Sequence, residues 1–367
     1  MEITEVRVRD VRSHTAAVLR PGPGLTVLHG PNGAGKTNVL EALYLGCTGR
    51  SFRGASDREL VRFGAPVARV EVDCQDRDGA HTLSVGVQPG ERKRMRVDGA
   101  PIERLTDTPL RPLVSVFAPD RLEIVKGTPA LRRAHLDQVV TALWPARAAA
   151  RTALGRALAQ RNALLVRVRA GGSGRESLPA WDQEVARHGI AVMANRAAAV
   201  AAVAERFTLA AGALGLDGAP AVEYRPRSAA QSADGLAAEL ADRTEADLER
   251  GFTGHGPHRD ELRLEREGRE LRTYGSQGQQ RLALLALLLA ERDAIAAARD
   301  APPVMLLDDV TSELDRERRE RLVALLARHG QALVSTTDAA SVPSGAGVRV
   351  DIEVPSGLAA STGTAAA

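Results

Sequence analysis

Apolar and polar positions along the chain change period several times, and each change marks an element. Val6 and Val8 stand between Glu5, Arg7 and Arg9, which predicts a half-buried strand. The polar string Asp10-Val11-Arg12-Ser13-His14 predicts a turn, and Gly22-Pro23-Gly24 a second one. Leu25-Thr26-Val27-Leu28 is a short continuous apolar run, suited to a buried strand. Residues 38–45 have helical apolar spacing, stopped by Gly46 and Gly49. Alternation returns over 67–72 and 82–87. Asp98-Gly99, between Val97 and Ile102, predicts a hairpin, and 113–117 a further buried strand. From 128 to 251 the texture is that of long alanine-, leucine- and arginine-rich helices, broken at Trp144-Pro145 and at Gly171-Gly172-Ser173-Gly174. A loop rich in polar groups follows Gly251. The apolar run 282–290 predicts a buried helix with Ser276 as its N-cap. Beyond Pro302-Pro303, residues 304–307 predict a buried strand, 316–329 a charged helix and 333–335 a core strand. The small, polar residues from Pro355 onward predict a disordered tail.

Composition narrows the class without fixing it. A chain of 367 residues accommodates two or three domains. The formal net charge is +3, which permits a nucleic-acid partner without requiring one. Only Lys36, Lys93 and Lys126 are lysines, so 46 of the 49 basic residues are arginine, as expected of a GC-rich genome. Arginine-rich stretches therefore carry less information than usual, whereas the lysine at Lys36 carries more, since arginine does not replace a compact point charge. Cys47 and Cys74 form neither a metal pattern nor a disulfide framework. The N-terminus lacks a signal-like apolar segment, and no apolar run approaches the ~20 residues of a membrane span. The expectation is a soluble, cytoplasmic protein.

Chemistry concentrates in a few stretches. Gly30-Pro31-Asn32-Gly33-Ala34-Gly35-Lys36-Thr37 reads G-x-x-x-x-G-K-T between a predicted strand and a predicted helix, the setting of a phosphate-binding loop. Its glycines let backbone N–H groups converge on phosphates, and the helix start adds positive potential. Lys36 is expected on the β- and γ-phosphates of ATP, and the Thr37 hydroxyl on Mg²⁺. Leu306-Leu307-Asp308-Asp309 ends a buried strand in two carboxylates, the Walker B pattern: Asp308 for Mg²⁺, Asp309 to polarise water. Ser276-Gln277-Gly278-Gln279 opens a helix and forms a second anion-binding arrangement; simple capping accounts for Ser276 but not for the glutamines. Gly254-His255-Gly256-Pro257-His258-Arg259-Asp260 matches no standard metal-ligand spacing and is expected to be a structural loop near the nucleotide. The cluster Arg92-Lys93-Arg94-Met95-Arg96 reads as a solvated hairpin edge.

Taken in order, these stretches resemble the ABC-type ATPase heads of DNA-repair and chromosome proteins, and within them the RecF family. The resemblance covers nearly the whole chain. It is carried by the phosphate loop with Asn38-Val39-Leu40-Glu41-Ala42, by Ser51-Phe52-Arg53, and by Phe117-Ala118-Pro119-Asp120 with Val125-Lys126-Gly127 and Arg132-Arg133. Gly256-Pro257-His258-Arg259-Asp260, Ser276-Gln277-Gly278-Gln279-Gln280-Arg281 and Leu306-Leu307-Asp308-Asp309 with Ser312-Glu313-Leu314-Asp315 complete it. It implies an α/β fold, a P-loop NTPase of the ABC/Rad50-head type with an inserted all-helical lobe. It also implies a homodimer closing on ATP, with Ser276 meeting the γ-phosphate bound by the other protomer and Asp315 at the dimer seam. Asp309 then takes the general-base place, and Arg12 a nucleotide contact. The family's function implies binding to DNA at single-strand/double-strand junctions of gaps and a weak, DNA-stimulated ATPase that times release. It further implies cooperation with RecO and RecR in loading RecA on single-stranded DNA, in replication-fork maintenance, recombinational repair and the SOS response.

On this reading the ATPase lobe comprises 1–120 and 251–354, the helical lobe 121–250 and the tail 355–367. The chain departs from ABC heads in three places. Asp309 replaces the usual Glu, which predicts slow hydrolysis. Thr337 stands near the place of the transporter switch histidine, and no glutamine occurs at 117–120. The first two weaken the competing reading as the nucleotide-binding subunit of a membrane transporter. An ATP-switched protein scaffold without DNA contact is the third reading, since aromatics make up only 3% of the chain and no basic stripe interleaved with them is visible.

Overall fold

The computed structural model describes residues 1–299, 301–345 and 347–355, so the expected disordered tail lies, beyond Pro355, outside the described residues. The chain divides into two compact units. One comprises Met1–Arg121, Ala213–Gly215 and the chain from Ile295 onward; the other comprises Leu122–Gly212 and Leu216–Ala294.

The first unit opens with strands β1 (Glu2–Val11), β2 (His14–Leu19) and β3 (Leu25–His29), helix α1 (Lys36–Thr48) and the single turn α2 (Asp57–Leu60). It continues with β4 (Ala68–Gln75), β5 (Ala80–Val87), β6 (Arg94–Val97), β7 (Ala100–Ile102) and β8 (Val114–Phe117). The second unit holds α3 (Glu123–Lys126), α4 (Pro129–Leu143), α5 (Ala148–Arg169), all but the last residue of α6 (Leu178–Ala213), β9 (Ala221–Arg225), α7 (Ala233–Ala241) and α8 (Thr244–Arg250). Then come β10 (Glu261–Arg266), β11 (Arg269–Glu270), α9 (Leu271–Tyr274) and α10 (Gln277–Arg299). The chain ends with β12 (Val304–Leu307), α11 (Arg316–Leu326), β13 (Ala332–Thr336) and β14 (Arg349–Glu353).

Two sheets build the first unit. An antiparallel sheet runs in the order β2-β1-β4-β5-β6-β7, and a parallel one in the order β14-β3-β13-β12-β8. The central parallel strands β3, β13 and β12 are buried on both faces, as their near-continuous apolar sequences require. The antiparallel strands alternate: Val6, Val8, Val70, Val72, Leu83 and Val85 are buried, and polar residues lie between them. Helix α1 shares one core with both sheets. Gly46 makes this close approach possible, because a Cβ there would stand 2.4 Å from Val72 and 2.9 Å from Val70. Asp98 (φ 49°) and Gly99 (φ 79°) both take left-handed backbone in the β6–β7 turn, the conformation that the Asp-Gly pair predicted.

In the second unit the expected helices form, and Trp144 and the 171–174 glycines end α4 and part α5 from α6. The insertion is helical except for β9, which pairs with β10 in the three-stranded sheet β11-β10-β9. The alternation of Val222 and Tyr224 against Glu223 and Arg225 accounts for that strand. Helix α10 is buried on all sides from Leu282 to Ala290, as its unbroken apolar sequence predicts. Arg161, fully buried, is matched by Asp182 at 2.6 Å and Asp247 at 2.7 Å, with Thr253 at 2.9 Å. Such an arrangement avoids an unpaired charge in the interior.

Candidate nucleotide site

The site grows from the end of β3. Leu28 is buried, His29 ends the strand, and the loop leaves through Gly30, whose φ of 152° and 2.3 Å approach of a Cβ to the Val354 carbonyl exclude a side chain. Gly33 and Gly35 follow with φ of 81° and 97°, so the chain curls back before α1 begins at Lys36. Pro31, Asn32 and Gly33 are exposed and Ala34 is buried, so the loop is anchored beneath and open above. The Lys36 ammonium donates to the carbonyls of Gly30 (2.7 Å) and Pro31 (2.9 Å), folded back along the loop it serves.

The carboxylate strand lies two places away in the same sheet. Parallel pairing sets β13 between β3 and β12, with Leu28 level with Ser335 and Leu307 level with Val334. Sequence-distant ends thus meet: the Thr37 hydroxyl donates to Asp308 at 2.9 Å, and the Ser335 hydroxyl donates to the same carboxylate at 2.7 Å. Asp308 is 8% exposed, so these bonds fix a nearly buried acid. The next residue, Asp309, is exposed; its backbone N–H donates to Ser335 Oγ at 3.0 Å. Asp309 has left-handed backbone at φ 50°, a conformation in which Asp is enriched among non-glycine residues. That is a local physical reason for Asp rather than Glu at this position. Ser312 donates to the Asp309 carbonyl (2.9 Å), and Asp315 caps α11 through the Arg318 N–H (2.9 Å). Thr337 is exposed.

The β1–β2 turn packs against the loop from the side. His14 Nε2 lies 3.1 Å from the Gly35 carbonyl, and Asn38 donates to Ser13 Oγ at 2.9 Å. A Cβ on Gly35 would meet the His14 ring at 2.5 Å. Arg12 sits beside them with its fork on Glu41, at 2.8 and 3.0 Å, and its third nitrogen on the Glu59 carbonyl at 2.9 Å. Glu41 is completely buried on α1 and also accepts from Ser51 Oγ, while Arg53 approaches to 3.9 Å. Thus Ser51, Arg53 and Arg12 converge on one buried carboxylate beneath the loop. The sequence showed each of these residues without showing Glu41 as their common partner.

Ser276 and its glutamines belong to the second unit. The Ser276 N–H is capped by Gln279 Oε1 (2.8 Å), and the Gln279 N–H by Ser276 Oγ (3.2 Å), a reciprocal capping box. Gln280 is buried and donates to the carbonyl of Leu271 at 2.8 Å. Local structure therefore accounts for Ser276, Gln279 and Gln280, more than simple capping by the serine. Ser276, Gln277 and Gly278 are exposed at the helix start.

The 254–260 loop is tied into its own unit. His255 Nε2 meets Glu239 at 2.5 Å and His258 Nε2 the Thr253 carbonyl at 2.8 Å. Asp260 takes the Arg227 N–H (2.8 Å), an Arg196 nitrogen (3.0 Å) and the Tyr224 hydroxyl. Burial raises the Asp260 carboxyl above its usual range and pushes the Tyr224 phenol upward with it. Burial holds His258 down at about 4, with Arg259 and Arg133 adding to the effect and the Thr253 hydrogen bond opposing it. Among the described residues no group of three or more His, Cys, Asp and Glu is arranged to hold a metal ion, and no helix is long and apolar enough to cross a membrane.

Comparisons with known proteins agree with this architecture. The model of the RecF/RecN/SMC N-terminal domain matches residues 2–348. A DNA replication and repair protein RecF from Anaeromyxobacter sp. (strain Fw109-5) is 40% identical over 358 residues, 95% of each chain. A solved structure described as the recombination mediator protein RecF bound to ATPrS, in the RecFOR pathway, superposes with a TM-score of 0.81 at 26% identity, covering 96% of each chain. An Smc head domain with an extended coiled coil, derived from Pyrococcus furiosus, shares the fold at a TM-score of 0.58 and 17% identity, over 97% of this chain and 94% of that one. Loop, paired acids, sheet order and full-length similarity thus converge: the chain is a P-loop ATPase head of the ABC/Rad50 type and belongs to the RecF family.

Proposed function

We propose that this protein is an ATP-switched DNA-binding protein of replication and recombinational repair, a weak ATPase whose homodimer closes on nucleotide. The observation that carries the reading is the bond between Thr37 and Asp308, 271 residues apart in sequence, at the mouth of a glycine loop. A structural loop has no need of a hydroxyl and a carboxylate facing each other beside a lysine. Residues 30–35 bind the phosphates through backbone N–H groups, and Lys36 exchanges the carbonyls of Gly30 and Pro31 for the β- and γ-phosphates. That exchange replaces two neutral acceptors by charged ones and favours the bound state. Thr37 and Asp308 supply oxygen donors that would hold Mg²⁺, which would supply positive charge to offset that of the phosphates. Ser335 keeps the Asp308 carboxylate turned toward Thr37.

Asp309, exposed and next to Asp308, accepts a proton from the attacking water. Its short side chain reaches less far than a Glu, which makes hydrolysis slow and suits a timer. The exposed helix start at Ser276, Gln277 and Gly278, with Gln279, covers the γ-phosphate held by a second copy, where its positive end finds an anion. Closure brings two DNA-binding surfaces onto one single-strand/double-strand junction, so ATP raises affinity through avidity. RecO and RecR are the partners with which this dimer promotes RecA loading in the cytoplasm. The similarity to a DNA replication and repair protein and to a recombination mediator of the RecFOR pathway supports this assignment. The test is binding of the purified protein to gapped duplex DNA with ATP, with ADP and without nucleotide, alongside ATPase rates with and without that DNA. Tighter binding with ATP and a rate raised by DNA are expected; equal affinities and a rate indifferent to DNA contradict the proposal.

A further inference from the structure

The outer face of the antiparallel sheet in the first unit carries its charges unevenly. Toward the end of β1 that leads into the 10–14 turn, register places Ala16, Arg9, Arg69, Gly86 and Arg94 in one row across five strands. The adjoining row is Val18, Arg7, Glu71, Ser84 and Arg96. Further along lie Glu5 and Asp73, and Asp98 holds the β5 backbone at Thr82. The two ends differ in how their arginines are satisfied. Arg7 is held by Glu5, Glu71 and Asp73, and Arg20 by Glu5. Arg9, Arg69 and Arg96 are exposed, and among the described residues none has a carboxylate within ion-pair distance. Arg94 pairs, among the described residues, only with Glu91, in the turn before its own strand, at 3.2 Å.

Arg9 and Arg69 are directly opposed on neighbouring strands, a like-charge pairing that weakens a sheet. The high arginine content of the chain does not explain why carboxylates accompany Arg7 and Arg20 and are missing here. Ala16 and Gly86, small residues in the same row, leave the guanidinium groups standing clear of a low surface. Arg62 joins Asp10 just beyond this row, and the next residue, Phe63, is 98% exposed in a chain that has only five phenylalanines. Unpaired guanidinium groups on a low sheet face, with a free aromatic ring at its margin, suit a phosphate backbone with neighbouring sugars and bases.

We propose that the Arg9, Arg69 and Arg96 face of the antiparallel sheet is a surface on which the protein holds the DNA phosphate backbone. This assignment rests on the DNA-binding reading above and locates it. The test compares the wild-type chain, an Arg9→Gln/Arg69→Gln/Arg96→Gln variant and a control, Arg187→Gln/Arg225→Gln/Arg263→Gln, which removes the same charge from exposed positions of the second unit. Each is titrated with gapped duplex DNA in ATP over a range of salt, after its thermal melt is recorded. The sheet variant is expected to melt no lower than wild type, since a like-charge pair has gone. Its affinity at low salt should fall at least about tenfold, and its slope of log K against log salt should flatten by roughly 0.9 for each phosphate no longer neutralised. The control should retain most of the wild-type affinity. Wild-type affinity and slope in the sheet variant, or an equal loss in the control, overturn the surface assignment while leaving DNA binding in place. A wild-type chain that binds no DNA overturns both.

Discussion

Arg12 offers the sharpest structural test beneath the nucleotide loop. Its guanidinium makes two bonds to Glu41, which is fully buried, and is itself 19% exposed. In Arg12→Ala the carboxylate keeps Ser51 Oγ and a distant Arg53 at 3.9 Å, and is deprived of its close cation. Removing one partner of a buried pair costs about 3–5 kcal/mol, and the partial exposure of Arg12 argues for about 3. For a unit of this size that lowers the melting temperature by roughly 6–12 °C. Calorimetry without nucleotide is the assay, because a residue serving only to touch ATP costs nothing in its absence. Arg12→Met combined with Glu41→Leu removes both charges and should recover most of the loss. An Arg12→Ala melt within about 2 °C of wild type, with ATP affinity reduced, refutes the structural role and returns Arg12 to the nucleotide contact expected from sequence.

Three further outcomes follow from the same geometry. Asp309→Asn should retain ATP binding and lose most turnover, because the amide still binds water but accepts no proton; single-turnover hydrolysis at the wild-type rate removes Asp309 from that role. Ser335→Ala should weaken Mg²⁺-dependent ATP binding several-fold by freeing the Asp308 carboxylate, read by nucleotide titration against Mg²⁺ concentration; an unchanged Mg²⁺ midpoint contradicts it. Acid should destabilise the second unit through His258, whose pKa lies at about 4 against 6.5 for the free side chain. Between those values the unfolded chain binds the extra proton, so stability present above pH 6.5 is lost as pH falls toward 4, by up to about 3 kcal/mol. His258→Gln should flatten that slope in urea melts recorded across the same pH range; an unchanged slope points to other groups.

What the sequence made legible was what it keeps contiguous. The phosphate loop carries its own strand, glycines and helix, and Asp308-Asp309 carries its own buried strand, so both were readable from spacing. Ser335 was not, since it looks like any polar end of a core strand until parallel pairing sets β13 between β3 and β12. Ser13, His14 and Asn38 were hidden for the same reason: their partners lie across the β1–β2 turn and the loop. Glu41 stands in the stretch after the phosphate loop with no neighbour in sequence to mark its burial, and only the convergence of Arg12 and Ser51 shows why it is buried. Ala16 and Ala17 give strand β2 no alternation to mark it, and the flanks of β14 are rich in Gly and Ser. The glutamines after Ser276 read as a ligand signal, yet Gln279 and Gln280 also have local tasks, so Gln277 and Gly278 remain the positions whose exposure calls for a partner.

The central claim is that each nucleotide is enclosed by the loop of one copy and the Ser276 helix start of another. Lys36→Ala and Ser276→Arg chains, each inactive alone, should on mixing form heterodimers with one doubly damaged site and one intact site. Single-turnover ATP hydrolysis by the purified heterodimer measures this most directly. The account predicts that about half of the wild-type amplitude returns, one site in two. Heterodimers confirmed by sedimentation that hydrolyse no ATP in a single turnover contradict it.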